Sequence, residues 1–377
     1  MALRIGRPFS VLHLWDIQIT GRAIGALCLA TVCAILVAGL WPFCAPVNEV
    51  SWVKQGNAIR FGEHGTALSS GRLDFVSQTR AACSLEIWVQ PAQTWAKGSI
   101  LTFYGFSESR EFRVEQDYTD LVLRLGDEDV KSKDGRQVLR IRNVFRKKQA
   151  FITVTSDEQA TSVYIDGQLA GSSSDFKLSR RDLSGQLILA NSPFRDQSWR
   201  GEVKGMAIYG TTLDAVRVQQ HYQNWNERGE PLPLDSELTN ALFLFREHGG
   251  SVIHNVVSGG VNLEVPTRFL VVDQLRFESP RSEYHSELSY LKSAVLNIAG
   301  FIPLGLVLSF YLTSVKGMKR ATLLTVLVGM AVSLAIEYFQ SFLPTRYSGC
   351  TDLFTNTFGT WVGAMLCKLF ARWIAVT

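Results

Sequence analysis

The segment AIEYFQSFLPTRYSGCTDLFTNTFGTWVG, residues 335–363, joins two long apolar stretches and carries polar side chains at the point where they meet. Glu337 and Gln340 lie near the end of the first stretch, and Asp352 and Asn356 lie near the beginning of the second. A carboxylate inside a membrane helix costs about 2.5 to 3.5 kcal/mol on insertion scales, so such residues usually have a specific role. The segment therefore predicts two membrane helices that share a polar site.

Four apolar segments are long enough to predict helices that span a hydrocarbon core about 30 Å thick. They comprise residues 24–41, 291–312, 321–343 and about 353–370. The first segment has an alternative interpretation as a signal peptide, with a candidate cleavage point after Ala45. Bulky Phe43 before that point and Pro46 after it favour a membrane anchor.

The polar side chains of these helices are predicted to lie at one depth. With a rise of about 1.5 Å per residue, Glu337, Asn356 and Asn297 lie about 25, 24 and 28 Å from the basic residue at the far end of their helices. These distances are close to the full thickness of the hydrocarbon core. The three side chains are therefore expected near the same membrane face.

Basic residues flank the predicted helices on one side if the chain crosses the membrane four times. They are Arg4, Arg7, Arg22, Lys316, Lys319, Arg320, Lys368 and Arg372. The positive-inside rule then places both termini in the cytoplasm. The polar site and the long segment between the first two helices are expected outside the cytoplasmic membrane, facing the envelope.

Composition limits the classes of function. The chain has 377 residues, which is long enough for a membrane part and a separate globular domain. Its net charge of +4 is spread along the sequence, and no run of Lys or Arg indicates a nucleic-acid partner. The histidines and cysteines form no HExxH or CxxC pair, so we predict no metal and no cofactor.

The cysteines indicate little about redox chemistry. Cys44 and Cys350 both lie at predicted outer membrane edges, where a disulfide between them is geometrically conceivable. The sequence does not give the connectivity.

The segment between the first two membrane helices is predicted to be all-β. Its short runs are rich in β-branched and aromatic residues, at 84–90, 99–104, 119–125, 150–155, 162–165, 186–190 and 203–209. Asp166-Gly167 is typical of a two-residue hairpin, and Asp134-Gly135 is a second candidate. Short strands separated by turns favour a sandwich.

Three stretches of this segment form a recognisable series: SLEIWVQP (84–91), FITVTSDEQATSVYIDGQLAGSS (151–173) and WRGEVKGMAIYGTTLDAVRVQQHY (199–222). In these stretches the segment resembles the concanavalin A-like, laminin-G-type jelly roll. Residues 241–266 look like the opening hairpin of such domains. They either close the same sandwich as a permuted edge or form a separate membrane-proximal element.

The jelly-roll resemblance alone does not give a function, because the fold includes glycan binders, adhesion modules and hydrolases. A retaining glycosidase needs two carboxylates about 5 to 5.5 Å apart. Glu86-Ile87-Trp88, the best local candidate, lacks the second acid of the family's Glu-x-Asp-x-x-Glu pattern. Hydrolysis by this domain is therefore not expected. Four acidic residues have spacing that matches no calcium loop and are interpreted as turn residues: Asp157, Glu158, Asp166 and Asp196.

The C-terminal part has a characteristic order of polar, proline, glycine and aromatic positions: Asn297, Phe301, Pro303, Gly305, Glu337, Gln340, Pro344, Arg346, Asp352, Asn356, Gly359 and Gly363. In these positions it resembles the VanZ-like family of bacterial membrane proteins. The resemblance implies an association with the cell envelope and, for the founding member, low-level resistance to teicoplanin. It implies no established reaction, so whether this protein is an enzyme stays open.

Three hypotheses compete for the polar cluster of Asn297, Glu337, Gln340, Arg346, Asp352 and Asn356. In a structural role, Arg346 pairs with Glu337 or Asp352 and the amides brace helices. In a binding role, Arg346 and the amides receive a phosphate or sugar head group, since the guanidinium suits bidentate partners. In a catalytic role, Glu337 acts as a base. Pro303 predicts a helix kink, either for packing or as a substrate gate.

The sequence thus predicts a multi-domain membrane protein with a concanavalin A-like sandwich and a four-helix transmembrane domain. The predicted segments are a cytoplasmic 1–23, a helix at 24–41, the sandwich at 46–272, a linker at 273–290 and a VanZ-like domain at 291–377. The expected function is recognition or handling of envelope glycans or lipid-linked precursors, with membrane lipid as a partner. The alternative is a non-enzymatic adhesion or scaffold protein with a glycan- or protein-binding sandwich. The sequence does not indicate the oligomeric state.

Overall fold

The computed structural model describes residues 21–75, 82–105, 110–126, 137–194, 197–231, 239–278, 280 and 287–376. The chain divides into two compact units. One unit is Ala45–Gln274, and the other comprises the residues up to Cys44 together with those from Leu275 onward. We call them the sandwich unit and the helical unit.

The sandwich unit contains two antiparallel sheets, each with eight strands among the described residues. Sheet A has β1 (Val50–Trp52), β2 (Ile59–Phe61), β4 (Cys83–Pro91), β9 (Ala150–Ser156), β10 (Thr161–Ile165), β11 (Gln168–Ser173), β13 (Gly201–Tyr209) and β14 (Thr239–Phe243). Sheet B has β3 (Ala67–Ser69), β5 (Lys97–Gly105), β6 (Arg110–Asp117), β7 (Asp120–Leu125), β8 (Gln137–Ile141), β12 (Gln186–Leu189), β15 (Val252–Ile253) and β16 (Leu263–Glu264). This arrangement confirms the predicted sandwich.

Alternation along the strands builds the core between the two sheets. Leu85, Ile87 and Val89 of β4 meet residues such as Leu101 and Phe103 of β5 in one buried cluster. A strand places every second side chain on the same face, so these residues share the inner surface. Each predicted strand run lies within or overlaps an observed strand.

Helix α2 (Ala215–Arg228) covers the outer face of sheet A. Phe151 and Tyr209 pack there against Val218 and Trp225 in a second apolar cluster. Strand β9 is consequently buried on both faces along its whole length.

The Asp166-Gly167 hairpin prediction agrees with the structure. Both residues have positive φ, at 51° and 78°, between the antiparallel strands β10 and β11. These angles match the primed turn that twists with a hairpin. The Asp134-Gly135 candidate lies outside the described residues.

The 241–266 segment supplies strands to both sheets. Strand β14 pairs with β13, and β16 pairs with β3. The segment therefore closes the sandwich, which was the first of the two alternatives predicted for it. Strand β6, with the sequence REFRVEQD, was not predicted because its outward residues are charged.

The helical unit contains four long helices among its described residues. They are α1 (Gly21–Leu40), α3 (Glu287–Phe310), α4 (Ala321–Gln340) and α5 (Cys350–Val376). A π-helical turn, Tyr311–Val315, continues α3. Pro303 lies inside α3 without ending it.

Three segments are long and apolar enough to cross a membrane: Gly21–Leu40, Tyr290–Val315 and Ala321–Gln340. Helix α5 has 27 residues but is not among them, and its sequence includes the polar residues Asp352 and Asn356 and the basic residues Lys368 and Arg372. By length and composition, the structure therefore supports three spanning helices, where the sequence predicted four.

All six cysteines are free thiols, so the conceivable Cys44–Cys350 disulfide is not formed. Cys350 Sγ lies 3.6 Å from the carbonyl oxygen of Phe277. In the sandwich unit, burial, followed by the nearby charge of Asp182, raises the pKa of Cys83 to about 12. That thiol is therefore unreactive at neutral pH.

Glycines bring α3 and α5 into backbone contact. A Cβ added at Gly359 would meet the carbonyl oxygen of Ile298, and one at Gly363 would meet that of Ile302. Small residues at helix interfaces allow this close approach in membrane proteins. At Gly300 of α3, by contrast, a Cβ would meet nothing within 4 Å.

We expect Gly363→Ala to destabilise the helical unit by about 1 to 3 kcal/mol, because the new methyl group must push two backbones apart. The measurement is thermal unfolding of the full-length protein in detergent, together with its abundance in membranes. Gly300→Ala is the matched control and should behave like wild type. Equal stability of the two variants would contradict this account of the helix contact.

Candidate functional site

The predicted polar residues gather in the helical unit. Asn297 lies on α3, Glu337 and Gln340 lie in the last turn of α4, and Asp352 and Asn356 lie in the first turns of α5. All five line one cavity of about 620 Å³. The structure thus brings together five of the six residues that the sequence singled out.

Two hydrogen bonds connect these polar residues, which we call the polar layer, to neighbouring helices. Asn297 Nδ2 donates to Asp352 Oδ1 at 2.7 Å, which joins α3 to α5. Gln340 Nε2 donates to the carbonyl oxygen of Gly39 at 2.7 Å, which joins α4 to the end of α1. The amides therefore brace helices, as the structural hypothesis proposed.

The Glu337 carboxylate lies at the N-terminus of α5. Its Oε2 accepts a hydrogen bond from the backbone N–H of Gly349 at 2.9 Å, and the side chain is buried. The N–H of Cys350 donates instead to the carbonyl oxygen of Glu278. A carboxylate at a helix N-terminus is favoured by the helix dipole and by the N–H groups exposed there.

The Asn356 side chain has one polar atom with a hydrogen-bond partner and one without a partner among the described residues. Its Nδ2 donates to Ser333 Oγ at 3.0 Å. Its Oδ1 is buried and has no hydrogen-bond partner among the residues that the structure describes. A buried acceptor without a partner is costly, so this atom is a candidate contact for a ligand in the cavity.

Arg346 is not among the residues that line the cavity. Its Nε donates to the carbonyl oxygen of Trp41 at 3.1 Å, and its Nη2 contacts the same oxygen. The guanidinium therefore fastens the loop between α4 and α5 to the chain just after α1. This partner was not predictable from the sequence, because a main-chain carbonyl exists at every residue.

Sequence reasoning also missed the contribution of α1 to the cavity. Ala30, Ala34 and Ala38 of this helix line it, opposite Gly300 and Pro303 of α3. Their small side chains leave the space that larger apolar residues would fill. A regular spacing of four between the alanines was the available sign.

The lining combines an apolar wall with a charged edge. Glu337 and Asp352 supply two carboxylates, and the described lining residues include no Lys or Arg. Such a cavity suits a molecule with an apolar body and a head group that donates hydrogen bonds. The cavity also contains the buried carboxylate of Glu337, which the catalytic hypothesis requires as its base.

In the sandwich unit, Glu86 is fully buried beneath α2. Its Oε2 accepts hydrogen bonds from Tyr209 Oη at 2.9 Å and Trp225 Nε1 at 3.0 Å, and its Oε1 lies 2.9 Å from His221 Nδ1. These partners connect β4, β13 and α2. The carboxylate is therefore part of an interior polar network and is inaccessible to a glycan.

The acidic turn residues of the sandwich unit act locally. Asp157 Oδ1 accepts from the backbone N–H groups of Gln159 and Ala160, and Asp166 Oδ1 accepts from that of Phe151. Within the described residues, no group of three or more His, Cys, Asp or Glu is placed to hold a metal ion. Asp196 lies outside the described residues.

Comparisons with known families agree with both resemblances. Residues 239–371 match the VanZ/LLP1 family model, and residues 62–219 match the model of the concanavalin A-like lectin/glucanases superfamily. The chain combines a VanZ-like domain with a concanavalin A-like domain. The VanZ-like match begins at β14, so it includes strands that pair within the sandwich. No curated protein matches the chain.

Solved structures similar to this chain include a putative carbohydrate binding protein from Bacteroides ovatus, at 11% identity and a TM-score of 0.39. The match covers 59% of this chain and 58% of that protein. The binding domain of Botulinum neurotoxin DC, solved with rat synaptotagmin II, has 11% identity and a TM-score of 0.35, with 47% and 46% covered. The receptor binding domain of botulinum neurotoxin mosaic serotype C/D has 13% identity and a TM-score of 0.38, with 48% and 45% covered. This chain thus spans about half the length of these structures.

Proposed function

We propose that this VanZ-like protein recognises glycans or lipid-linked envelope precursors at the outer face of the bacterial cytoplasmic membrane. The observation that carries the proposal is the cavity of the helical unit. It unites a wall of small apolar residues from α1 with the polar side chains of Asn297, Glu337, Gln340, Asp352 and Asn356. A lipid-linked sugar has the same two-part chemistry.

The charges of the cavity indicate which head group it accepts. Glu337 and Asp352 are acceptors, and Asn356 Oδ1 adds a third. Sugar hydroxyl groups donate to such atoms, whereas a phosphate beside two carboxylates is repelled. A phosphate would have to lie nearer Arg346, outside the lining. Sugar hydroxyls are therefore the preferred partners of the polar edge.

We include α5 as a fourth spanning helix in this proposal. Its large apolar side chains are exposed, among them Phe354, Phe358, Leu369, Phe370 and Trp373. Contiguous exposed apolar surface of this size is unfavourable in water and suits lipid. Four crossings put both termini in the cytoplasm and the sandwich unit, which lies between α1 and α3 in sequence, on the outside.

A scaffold protein without a ligand is the second candidate. It is favoured by the hydrogen bonds that already engage the cavity residues, such as Asn297 with Asp352 and Gln340 with Gly39. In that function, the helical unit only anchors a glycan- or protein-binding sandwich.

Topology can be tested by cysteine labelling in intact cells. In a background without the six native cysteines, a cysteine at Ser172 should react with a membrane-impermeant maleimide, whereas one at Gly317 should react only after permeabilisation. The proposed topology predicts this difference because the two positions lie on opposite sides of the membrane. The reverse pattern, or equal protection, would refute the proposed location of the sandwich.

Blocking the cavity tests ligand binding. Gly300→Leu should fill open space and remove a bound lipid, because nothing within 4 Å opposes a new Cβ there. The measurement is mass spectrometry of lipids that co-purify with the full-length protein in mild detergent. A glycan-bearing lipid enriched over bulk membrane should be lost in Gly300→Leu and kept in Gly300→Ala. The same lipid profile in both variants would favour the scaffold.

The charge of the site can be tested separately in cells. Glu337→Gln keeps the size and a hydrogen bond to Gly349 but removes the charge, so it should abolish any contribution to teicoplanin tolerance without lowering protein abundance. Arg346→Lys should also impair it, because a lysine cannot reproduce the two-point contact of Arg346 with the Trp41 carbonyl. Normal tolerance in Glu337→Gln at normal abundance would contradict a role for the Glu337 charge, and normal tolerance in Arg346→Lys would contradict a role for the contact between Arg346 and Trp41.

A further inference from the structure

Two exposed aromatic rings form a platform on the sandwich unit. Trp95 is 69% exposed and Tyr118 is 40% exposed, and their ring centroids lie 4.6 Å apart with an interplanar angle of 34°. The other large apolar side chains exposed among the described residues of this unit are aliphatic. Its two exposed aromatic rings are therefore neighbours, as expected for a binding surface and not for scattered surface residues.

A buried glutamine fixes the loops that carry the platform. Gln116 Nε2 donates to the carbonyl oxygens of Gln93 and Tyr118, at 2.9 and 3.0 Å. Gln116 Oε1 accepts from the buried Trp199 Nε1 at 2.8 Å. The platform is thus held in place before any ligand arrives, which lowers the entropic cost of binding.

Tyr118 has a backbone conformation that is uncommon for a large residue. Its φ is 57°, in the left-handed region, at the turn between β6 and β7. Glycine and asparagine favour this region, and residues held there are often part of functional sites. The backbone conformation does not favour tyrosine at this position. We therefore interpret the aromatic ring as the functional part of Tyr118.

A polar groove begins beside the platform. Two adjoining cavities of about 280 and 480 Å³ share Glu115, Arg124 and Gln197 as lining residues. The larger one is also lined by Lys97 and by Gln116. Lys97 Nζ lies 4.6 Å from the centroid of the Tyr118 ring, which connects the platform to the groove.

The charges of the groove balance. Its described lining residues include four acidic and four basic side chains: Glu63, Glu111, Glu115, Asp117, Lys97, Arg113, Arg124 and Arg200. A charged polymer would therefore meet as many like charges as opposite ones. An uncharged ligand with many hydroxyl groups meets a dense array of donors and acceptors.

Ion pairs hold this array in position. Arg113 Nη1 lies 3.0 Å from Glu115 Oε1 and donates to Gln197 Oε1 at 2.5 Å, and Arg124 Nε lies 2.6 Å from Glu115 Oε2. Burial by itself raises the pKa of Asp117, but hydrogen bonds from Arg140 and Lys97 outweigh it and lower that pKa below its usual value. The carboxylate therefore stays an acceptor at neutral pH.

We propose that the sandwich unit binds an uncharged glycan along this groove, with one sugar ring packed on Trp95 and Tyr118. A pyranose ring has a face of C–H groups, which suits an aromatic platform, and a rim of hydroxyl groups, which suits the paired charges beyond it. This site is separate from the cavity of the helical unit. It holds the sugar chain itself and does not require a lipid.

The test uses the full-length protein in lipid nanodiscs and a panel of neutral oligosaccharides of glucose, galactose, mannose and N-acetylglucosamine. Binding is measured by biolayer interferometry, with polygalacturonate and heparin as charged probes. We expect at least one neutral oligosaccharide to bind and neither charged probe to bind more tightly. Trp95→Ala should weaken that binding about tenfold or more, in line with about 1.4 kcal/mol for a lost aromatic contact.

Two further variants separate binding from folding. Tyr118→Gly removes the ring at a φ that glycine accepts, so it should weaken binding while the thermal unfolding temperature holds or rises. Leu169→Ala removes an exposed apolar side chain from β11 of sheet A and should leave binding unchanged. Absence of binding to every neutral oligosaccharide, tighter binding of a charged probe, or wild-type affinity in both Trp95→Ala and Tyr118→Gly would overturn the proposal.

The two sites are distinguished within the same experiment. Trp95→Ala should weaken oligosaccharide binding and keep the co-purified lipid, whereas Gly300→Leu should lose the lipid and keep wild-type oligosaccharide binding. Loss of the oligosaccharide in Gly300→Leu at normal stability would overturn the separation of the two sites.

Discussion

Backbone contact between α3 and α5 is the constraint on which the helical unit depends. At Gly359 and Gly363, the surface of α5 meets carbonyl groups of α3 with no side chain between them. That approach brings Asn297 within 2.7 Å of Asp352 and sets the position of the whole polar layer. Dispersion and hydrogen bonding drive helix association in membranes, where the hydrophobic effect between helices is absent, so contact distance is decisive.

The Glu337 carboxylate has two roles in the helical unit. Its carboxylate completes the N-terminus of α5 through Gly349, and it also lines the cavity. A buried carboxylate is tolerated because the N–H group and the helix dipole offset part of its desolvation. The same charge then gives the cavity a strong hydrogen-bond acceptor. Stability and the proposed ligand recognition therefore depend on one side chain.

The sandwich unit has clusters of polar and charged side chains in two different settings. Under α2, Glu86 accepts hydrogen bonds from Tyr209 and Trp225 and is closed to ligands. On sheet B, paired charges line an open groove beside exposed aromatic rings. The Glu86 network and the groove contain similar types of residue and differ in their exposure to solvent. A carboxylate on a strand of this fold is therefore weak evidence of catalysis without its surroundings.

The sequence by itself determined the elements whose chemistry is periodic or local. Short apolar or alternating runs predicted seven of the strands, Asp166-Gly167 predicted its hairpin, and long apolar runs predicted the long helices. The charged strand β6 was missed because tertiary burial of one face, and not propensity, makes it a strand. The spacing of Asn297, Glu337, Gln340, Asp352 and Asn356 also indicated that they would converge, since helical rise fixes depth. Only the tertiary structure decided that α1 supplies the cavity wall, that Arg346 holds the Trp41 carbonyl, and that Trp95 meets Tyr118. The first contact involves small alanines and the second a main-chain carbonyl, and neither singles out its partner in the sequence. The third joins two aromatic rings that become neighbours only because β5 pairs with β6.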